Sequence, residues 1–465
     1  MQSEIQIKID TSLPSDYEKL IMCKQLPKYD IIDNIVYTDQ ESYNYIFGEK
    51  EVYKFNVKNR LAFDYQKKIA QNALERKCFA AFLDCGLGKT FITLLWHQQI
   101  LKNKGKTLLL CPLAVVQEFI GDAKKFGFDI PITELSKNGF QWDEGIGILN
   151  YESRKELDMR GVNGISVDES SILKNADGAT KKWLVTLSNS IEYRLCTSAT
   201  PAPNEQAEYA THAVFLGIAR TEKEFYSRFF RKDGNKWRLK AHAVNGFYKY
   251  MQSFSCYIHD PSKLGFERGG FLDHEPEYIP VICKGGAELI TDTLFSNDAG
   301  FKQMKAIERY RCLKDTERFN KCVELAESSK SIVWCSRNDE ESNFAKTIKN
   351  SALITGKTLP VERLRIINEW RDGKINTLIS KPKILGWGVN LQQAESMIYS
   401  GYDQSMEKFY QAVRRSHRYG RDGVLKVYIP MIPAERPVFD LILEKLKTFN
   451  EDVAKLQENF SNNSQ

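Results

Sequence analysis

The chain has 465 residues, which at about 150 per domain argues for roughly three folding units, or two large ones with additions, so it is not a lone binding module. Hydrophobic residues make up 42% and charged residues 27%, with 28 Gly and 14 Pro thinly spread, which excludes collagen, wholesale disorder and disulfide scaffolds. Subtracting 60 acidic from 66 basic residues leaves +6, which permits a polyanionic partner without demonstrating one.

No apolar run approaches the roughly 18 to 20 residues needed to cross a bilayer, and the N-terminus MQSEIQIKID is too acidic and broken for a signal peptide. The sequence therefore predicts a cytoplasmic protein with no membrane partner. The 10 Cys are scattered, at positions such as Cys23, Cys78, Cys111, Cys196 and Cys335, with no C-x-x-C pair. That spacing predicts reduced, mostly buried thiols in place of a zinc or redox site.

In chain order, residues 1–55 carry short apolar and aromatic runs, IIDNIVYT and YNYIF, which predict a small strand-rich appendage. LAFDYQKKIAQNAL, from Leu61 to Leu74, has apolar residues at helical spacing. The runs CFAAFL and TLLLCP then alternate with the helix patterns TFITLLWHQQILK and VVQEFIGDAKKF, the signature of a parallel sheet. GIGILNY, GISVDE and YRLCTSAT continue it, short and apolar as strands covered on both faces should be, so one α/β domain is expected over 56–205.

Residues 206–330 read as a helical insertion and linker with few strands. The alternation resumes at SIVWCSR and runs through SALITG, INTLIS, SMIYSG and VLKVYIP, predicting a second α/β domain over 331–433. In the tail, 434–465, apolar Phe439, Leu441, Ile442, Leu446, Phe449, Val453 and Leu456 predict one or two bracing amphipathic helices before a loose end. Two similar halves imply a cleft between them.

The strongest local signal is Asp84-Cys85-Gly86-Leu87-Gly88-Lys89-Thr90, set between an apolar run and a helix, where backbone N–H groups and a helix N-terminus can enclose phosphate oxygens. Lys89 would reach the β and γ phosphates and Thr90 would hold Mg²⁺, although Leu83 stands where the strict pattern has its first Gly. The competing reading is a Gly-rich turn with an ordinary surface lysine. Asp168 and Glu169 end an apolar run, where carboxylates at a strand's carboxyl edge face the same crevice as the phosphate loop. Thr197-Ser198-Ala199-Thr200-Pro201 follows a third strand, with hydroxyls placed to feel the γ-phosphate, or as a plain polar turn. Farther on, Gln411 to Arg421 packs four arginines and a histidine together. Arg415 and Arg418, three apart, share a helix face and can point across a cleft at phosphate.

With these residues in this order, the chain resembles superfamily 2 helicases, most closely their Swi/Snf-type group, over 56–433. Tyr65-Gln66 is similar to the Gln motif, DCGLGKT to motif I, LLLCPLAVV to motif Ia and VDESSILKN to motif II. CTSATPAPN is similar to motif III, IVWCSR to motif IV, ILGWGVNL to motif V and QAVRRSHRYGR to motif VI. The resemblance implies an α/β fold of two RecA-like, parallel-sheet P-loop domains, with ATP and Mg²⁺ as cofactors. It gives the adenine to Gln66, and the phosphates and Mg²⁺ to Gly86, Gly88, Lys89 and Thr90. Asp168 takes the metal and Glu169 the attacking water. Gln411, Arg415 and Arg418 complete the catalytic set, with Ser198 and Thr200 coupling it to movement. Pro112, Arg337, Gly388 and Asn390 would lie near the nucleic-acid track.

The implied activity is an ATP-dependent motor on duplex or branched DNA; the alternatives are an RNA helicase of the same superfamily and an ATP-gated clamp that does not move. Compact, Lys-, Asn- and Ile-rich chains of this kind resemble helicases encoded by bacteriophages, which implies duties in replication, recombination or repair. Ser170-Ser171 in motif II, Leu385 and Trp387 in motif V and Arg421 in motif VI depart from the family pattern.

The insertion interleaves Arg228, Arg231, Lys232, Lys236, Arg238 and Lys240 with aromatics that include Phe225, Phe229, Trp237 and Phe247. It reads either as phosphate contacts combined with base stacking, Trp237 among the stacking residues, or as a helical core beneath a solvated basic face.

Overall fold

The computed structural model describes residues 5–9, 19–20, 23, 29–38, 43, 61–102, 105–174, 178–234, 236–266, 274–285, 316–385, 389–401, 405–418 and 420–462. Near the N-terminus, β1 (Ile5–Lys8), β2 (Asp30–Ile32) and β3 (Ile35–Thr38) form an antiparallel sheet in the order β1-β3-β2. Asp33 and Asn34, both at positive φ, make the two-residue turn between β2 and β3. Asp and Asn tolerate that conformation, and such turns match the twist of the strands they join.

The first large sheet contains β4 (Cys78–Leu83), β5 (Lys106–Cys111), β6 (Ile132–Glu134), β7 (Gly145–Asn150), β8 (Val162–Asp168) and β9 (Tyr193–Ser198). A separate hairpin, β10 (Phe230–Asp233) and β11 (Lys236–Leu239), precedes β12 (Ser255–Ile258), which joins the first sheet. The order is β12-β4-β9-β8-β5-β7-β6, every pairing parallel. The second sheet, also parallel, runs β13-β18-β17-β14-β16-β15. Its strands are β13 (Glu277–Ile282), β14 (Ser331–Trp334), β15 (Ser351–Leu353), β16 (Thr377–Ser380), β17 (Ser396–Tyr399) and β18 (Lys426–Met431).

The unbroken apolar run of β4 follows from burial on both faces. Phe79, Ala81 and Leu83 enter one core while Ala80 and Phe82 enter the other, as the two-residue strand period requires. Full burial of each phenylalanine contributes roughly 1.5–3 kcal/mol.

Four strands fall in the stretch expected to be a helical insertion: the β10–β11 hairpin, and β12 and β13, which join the first and the second large sheet. β12 is only four residues long and follows the helix Val244–Phe254 with no intervening turn residues, so its sequence has no room to display a strand period. β13 contains Pro280, which argues against a central strand. It is tolerated because β13 is an edge, paired only with β18.

The tail is one helix, Arg436–Asn462. It leaves the second sheet after β18 and crosses to the first, burying Phe439, Ile442, Leu446, Phe449, Val453 and Leu456 in a core shared with residues of both sheets. The Phe449 ring lies 5.5 Å from Tyr410 of the second lobe and 6.2 Å from Tyr257 in β12 of the first. Leu441, counted in the expected apolar stripe, faces outward. Among the described residues nine cysteines are free thiols, buried apart from half-buried Cys85, and no helix is long and apolar enough to cross a membrane.

Candidate active site

β4, β9 and β8 are neighbours in the first sheet, so their carboxyl ends bring three loops together: Asp84–Thr90, Ser198–Thr200 and Asp168–Glu169. That edge is where open parallel sheets bind ligands. The phosphate loop feeds the helix Lys89–Leu101, whose cap is Gly88. Gly86 and Gly88 have φ of +87° and +75°. A Cβ on Gly88 would stand 2.3 Å from Gln66 Nε2, the free end of that side chain, so the left-handed backbone is what calls for glycine here, and a larger residue would displace the Gln66 amide.

Gln66 sits against the loop itself. Its Nε2 donates to Leu87 O at 3.3 Å, its Oε1 accepts from Phe63 N at 3.0 Å, and Tyr65 OH donates to the same Leu87 carbonyl at 2.9 Å. Lys89 Nζ lies along the loop, donating to Leu83 O at 3.1 Å and Asp84 O at 3.4 Å. Thr90 follows, half-buried, as the second helical residue.

Asp168 and Glu169 are buried side by side. Thr197 Oγ1 donates to Asp168 Oδ1 at 2.7 Å, tying the third strand's hydroxyl to the first carboxylate. Burial raises the pKa of both; that of Glu169 is pushed up to about 7, with the Asp168 charge adding to the shift while Lys89 and Arg415 oppose it. Glu169 adopts a left-handed φ of 49°, a conformation that costs a non-glycine residue about 1–3 kcal/mol and concentrates at functional sites. Its Oε2 is buried without a hydrogen-bond partner. Two buried carboxylates, one with an orphaned oxygen, beside a lysine and a glycine cradle fit a metal-bound triphosphate: Thr90 and Asp168 would hold Mg²⁺, and Lys89 the phosphates.

The second lobe contributes the helix Met406–Val413 and the turns after it. Gln411 Nε2 donates to Thr200 Oγ1 at 3.4 Å, which itself lies 3.4 Å from Glu407 Oε1, while Lys174 pairs with Glu407. Thr200 N donates to Ser198 Oγ at 3.1 Å. Arg415 stands near enough to Lys89's pocket to lower the pKa of Asp168, Glu169 and Glu118, and Arg418 acts on Glu118 and Asp122. Burial still pushes Glu118 up to about 7. The Arg415 charge is thus felt at the paired carboxylates of the first lobe, and that of Arg418 at the helix Val116–Lys125.

The nucleic-acid candidates are dispersed. Pro112 is buried at the carboxyl end of β5, and Arg337 pairs with its near neighbour Asp339 at 2.9 Å. Asn390 closes a local turn, its Oδ1 accepting from Gln392 N at 3.1 Å. Trp237 lies in β11 with its ring stacked 4.6 Å from Tyr226. Gly388 and Trp387 lie outside the described residues. Phe225, Phe229, Phe230, Phe247 and Tyr248 are buried core, which removes them from any stacking platform.

Ser170 and Arg421, two of the departures from the family pattern, have local partners. Ser170 Oγ lies 3.1 Å from Nε2 of buried His212, and burial holds that imidazole neutral, its pKa pushed down to about 4. Arg421 is buried and donates to Gln392 O at 2.8 Å and to Ala394 O, fixing the loop ahead of β17.

Sequence reasoning missed a second buried cluster beside the loop. Asp84 Oδ2 lies 3.2 Å from Arg414 Nη2 and 3.0 Å from His259 Nδ1, and Asp84 Oδ1 accepts from Tyr410 OH at 2.6 Å. Arg414 stands among the four clustered arginines of the sequence, but nothing in sequence marks His259.

Residues 65–254 match the SNF2-related domain family and residues 314–420 the helicase conserved C-terminal domain family. ATP-dependent RNA helicase FAL1 of Candida glabrata is 30% identical over 122 residues, covering 26% of this chain and 29% of that protein. Its Kluyveromyces lactis counterpart is 29% identical over 125 residues, 27% of this chain and 29% of that protein. The chain thus spans under a third of the length of the curated relatives it matches. Among solved structures, S. cerevisiae Dbp5 bound to RNA and ADP BeF3 aligns over 84% of this chain and 93% of that one, with TM-score 0.50 and 12% identity. The Sulfolobus solfataricus SWI2/SNF2 ATPase core in complex with dsDNA aligns over 88% and 95%, with TM-score 0.42 and 18% identity. The expected α/β class, two RecA-like parallel-sheet domains, is the fold observed. The chain carries an SNF2-related domain followed by a helicase conserved C-terminal domain.

Proposed function

We propose that the chain is a motor that uses ATP hydrolysis to move on duplex or branched DNA, in replication, recombination or repair. The observation that supports this reading is the seam itself: the Arg415 charge of the second lobe acts on Asp168 and Glu169 beside Lys89 on the first, and Arg418, three residues on, acts on Glu118 of the first lobe. Triphosphate bound to Lys89 and the loop N–H groups would present its terminal phosphoryl group to those two guanidiniums, the placement that stabilises charge in phosphoryl transfer. Mg²⁺, when bound, supplies further charge neutralisation on the phosphate oxygens.

Glu169 orients the attacking water and accepts its proton through the oxygen that has no protein partner. A pKa near 7 suits that task at neutral pH. Gln411, touching Thr200, and Thr197, touching Asp168, give hydrolysis a route to lobe movement. Gln66, fixed on Leu87, is the adenine-side residue of the set.

The SNF2-related match over 65–254 favours duplex DNA as the track. A cavity of about 210 Å³ at the carboxyl edge of the second sheet, lined by Ser336, Lys381, Lys383, Ser405 and Lys408, supports phosphate contacts beside Arg337. The names of the curated relatives favour a second reading, an RNA helicase.

ATP turnover measured with duplex DNA, forked DNA, single strands and RNA ranks the two: duplex or fork should stimulate most, and stimulation by RNA alone overturns the DNA reading. Glu169→Gln should abolish strand movement while leaving ATP-dependent DNA binding intact. A variant that retained full activity would identify a clamp in place of a motor.

A further inference from the structure

Asp84 is the first residue of the phosphate loop, and its carboxylate bonds across to the second lobe. Its acceptors are taken by Cys85 N at 2.6 Å, Tyr410 OH at 2.6 Å, His259 Nδ1 at 3.0 Å and Arg414 Nη2 at 3.2 Å. Its own N–H donates to Ile258 O at 3.0 Å, in β12. Arg414 also lies 3.6 Å from Glu275 Oε2 and over the Tyr410 ring at 5.0 Å. Its Nη1 bonds His417 Nδ1, whose Nε2 then donates to His274 O at 2.7 Å.

The charges balance: two carboxylates, Asp84 and Glu275, against the Arg414 guanidinium and a His259 cation. Burial disfavours charge on His259, but Asp84 overrides it and lifts the imidazole's pKa to about 9. The cluster spans both lobes, and from the phosphate loop it takes only Asp84, whose backbone carbonyl also accepts from Lys89 Nζ at 3.4 Å. Arg415 follows Arg414 directly, and the Arg415 carbonyl accepts from Leu391 N at 2.9 Å, so the guanidiniums that face the site are mounted on the same segment.

We propose that Asp84 and Arg414 are positioning residues, whose ion pair sets the phosphate loop and the Arg415–Arg418 segment in register and so fixes where those two guanidiniums meet the nucleotide. The inference rests on the ATPase reading above. A buried pair of this kind adds little net stability compared with apolar packing, but its bonding geometry is specific. Displacing a reacting group by about 1 Å can cost on the order of 10²-fold in rate.

The test uses the full chain with saturating duplex DNA, measuring kcat and KM for ATP together with ADP affinity. Asp84→Asn and Arg414→Gln should each lower kcat by on the order of 10²-fold with ADP affinity unchanged, because ADP lacks the phosphoryl group the arginines address. Arg414→Lys should recover part of the loss. Tyr410→Phe, which removes a single bond and no charge, should lower kcat several-fold and covers the case in which a charge variant fails to fold. The double variant Asp84→Asn with Arg414→Gln should be no worse than the worse single one, as expected of one interacting unit.

Unchanged kcat in the single variants, losses that multiply in the double variant, or ADP affinity falling in step with kcat would each overturn the proposal. If the wild type hydrolyses ATP and Glu169→Gln stops it while the Asp84 and Arg414 variants stay fully active, this inference alone fails. A wild type with no ATP hydrolysis overturns the proposed function and this inference with it.

Discussion

Single residues at the phosphate loop carry opposing demands. Gly88 needs a left-handed backbone, and a methyl group there would displace the Gln66 amide. Gly88→Ala should lose about 1–3 kcal/mol by thermal denaturation, because alanine is strained at that left-handed φ, and weaken ATP binding, because Gln66 must leave Leu87 to make space. Glu169 illustrates a cost of function. Its folded pKa, near 7, lies above the ordinary 4.5, so its contribution to stability is full below about pH 4.5 and is lost as pH rises through 7. A neutral glutamine avoids that loss. Glu169→Gln should therefore melt above the wild type at pH 8, the gap closing by pH 5, and an equal gap at both pH values would place the effect elsewhere than in the buried charge.

At the scale of elements, the β10–β11 hairpin turns one face inward and one outward. Phe230 is buried, with Trp237 and Leu239 half-buried, whereas Arg231, Lys236 and Arg238 are exposed. Arg231 stands directly opposite Arg238, a like-charge pairing that destabilises a hairpin, and Asp233 offsets it only in part through its 3.3 Å approach to Arg238. Trp237 N donates to Glu205 Oε2 at 3.3 Å, five residues beyond Thr200, which links this basic face to the nucleotide site. If the face grips a phosphate backbone, Arg231→Ala with Arg238→Ala should flatten the dependence of log affinity on log salt by about 0.9 for each phosphate left without its cation. Titration of duplex DNA at several salt concentrations measures that slope, and an unchanged slope removes the hairpin from the track. The sequence showed this segment's basic residues and aromatics but left their division open, because alternation over four residues is too short to separate a hairpin from a helix.

For the whole molecule, the C-terminal helix makes one body of two lobes. Asp452 accepts from Gln206 at 2.5 Å, Tyr248 at 2.8 Å and Tyr209 at 3.1 Å, and Gln457 donates to Asp260 O at 2.7 Å, all first-lobe partners of a helix that begins at the second sheet. Phe449, between Tyr257 and Tyr410, closes the apolar part of that bridge. Phe449→Ala should cost about 3–5 kcal/mol and separate a single calorimetric unfolding transition into two, because the cavity falls where the lobes share their core. One unsplit transition at the wild-type temperature would show that the lobes are joined by other means.

The sequence by itself determined the two parallel sheets and marked the Asp84–Thr90 loop and the Asp168–Glu169 pair as candidates, because strands buried on both faces and a strand-to-helix glycine turn are local patterns that need no partner to be read. Only the tertiary structure decided that Ser255–Ile258 and Glu277–Ile282 are edge strands, that Trp237 lies against Tyr226, and that Asp84 meets Arg414. Strands of a parallel sheet are paired by crossovers, and ion pairs across a seam join residues hundreds of positions apart. Such partners are chosen by how the lobes pack, which leaves no periodic mark in the chain.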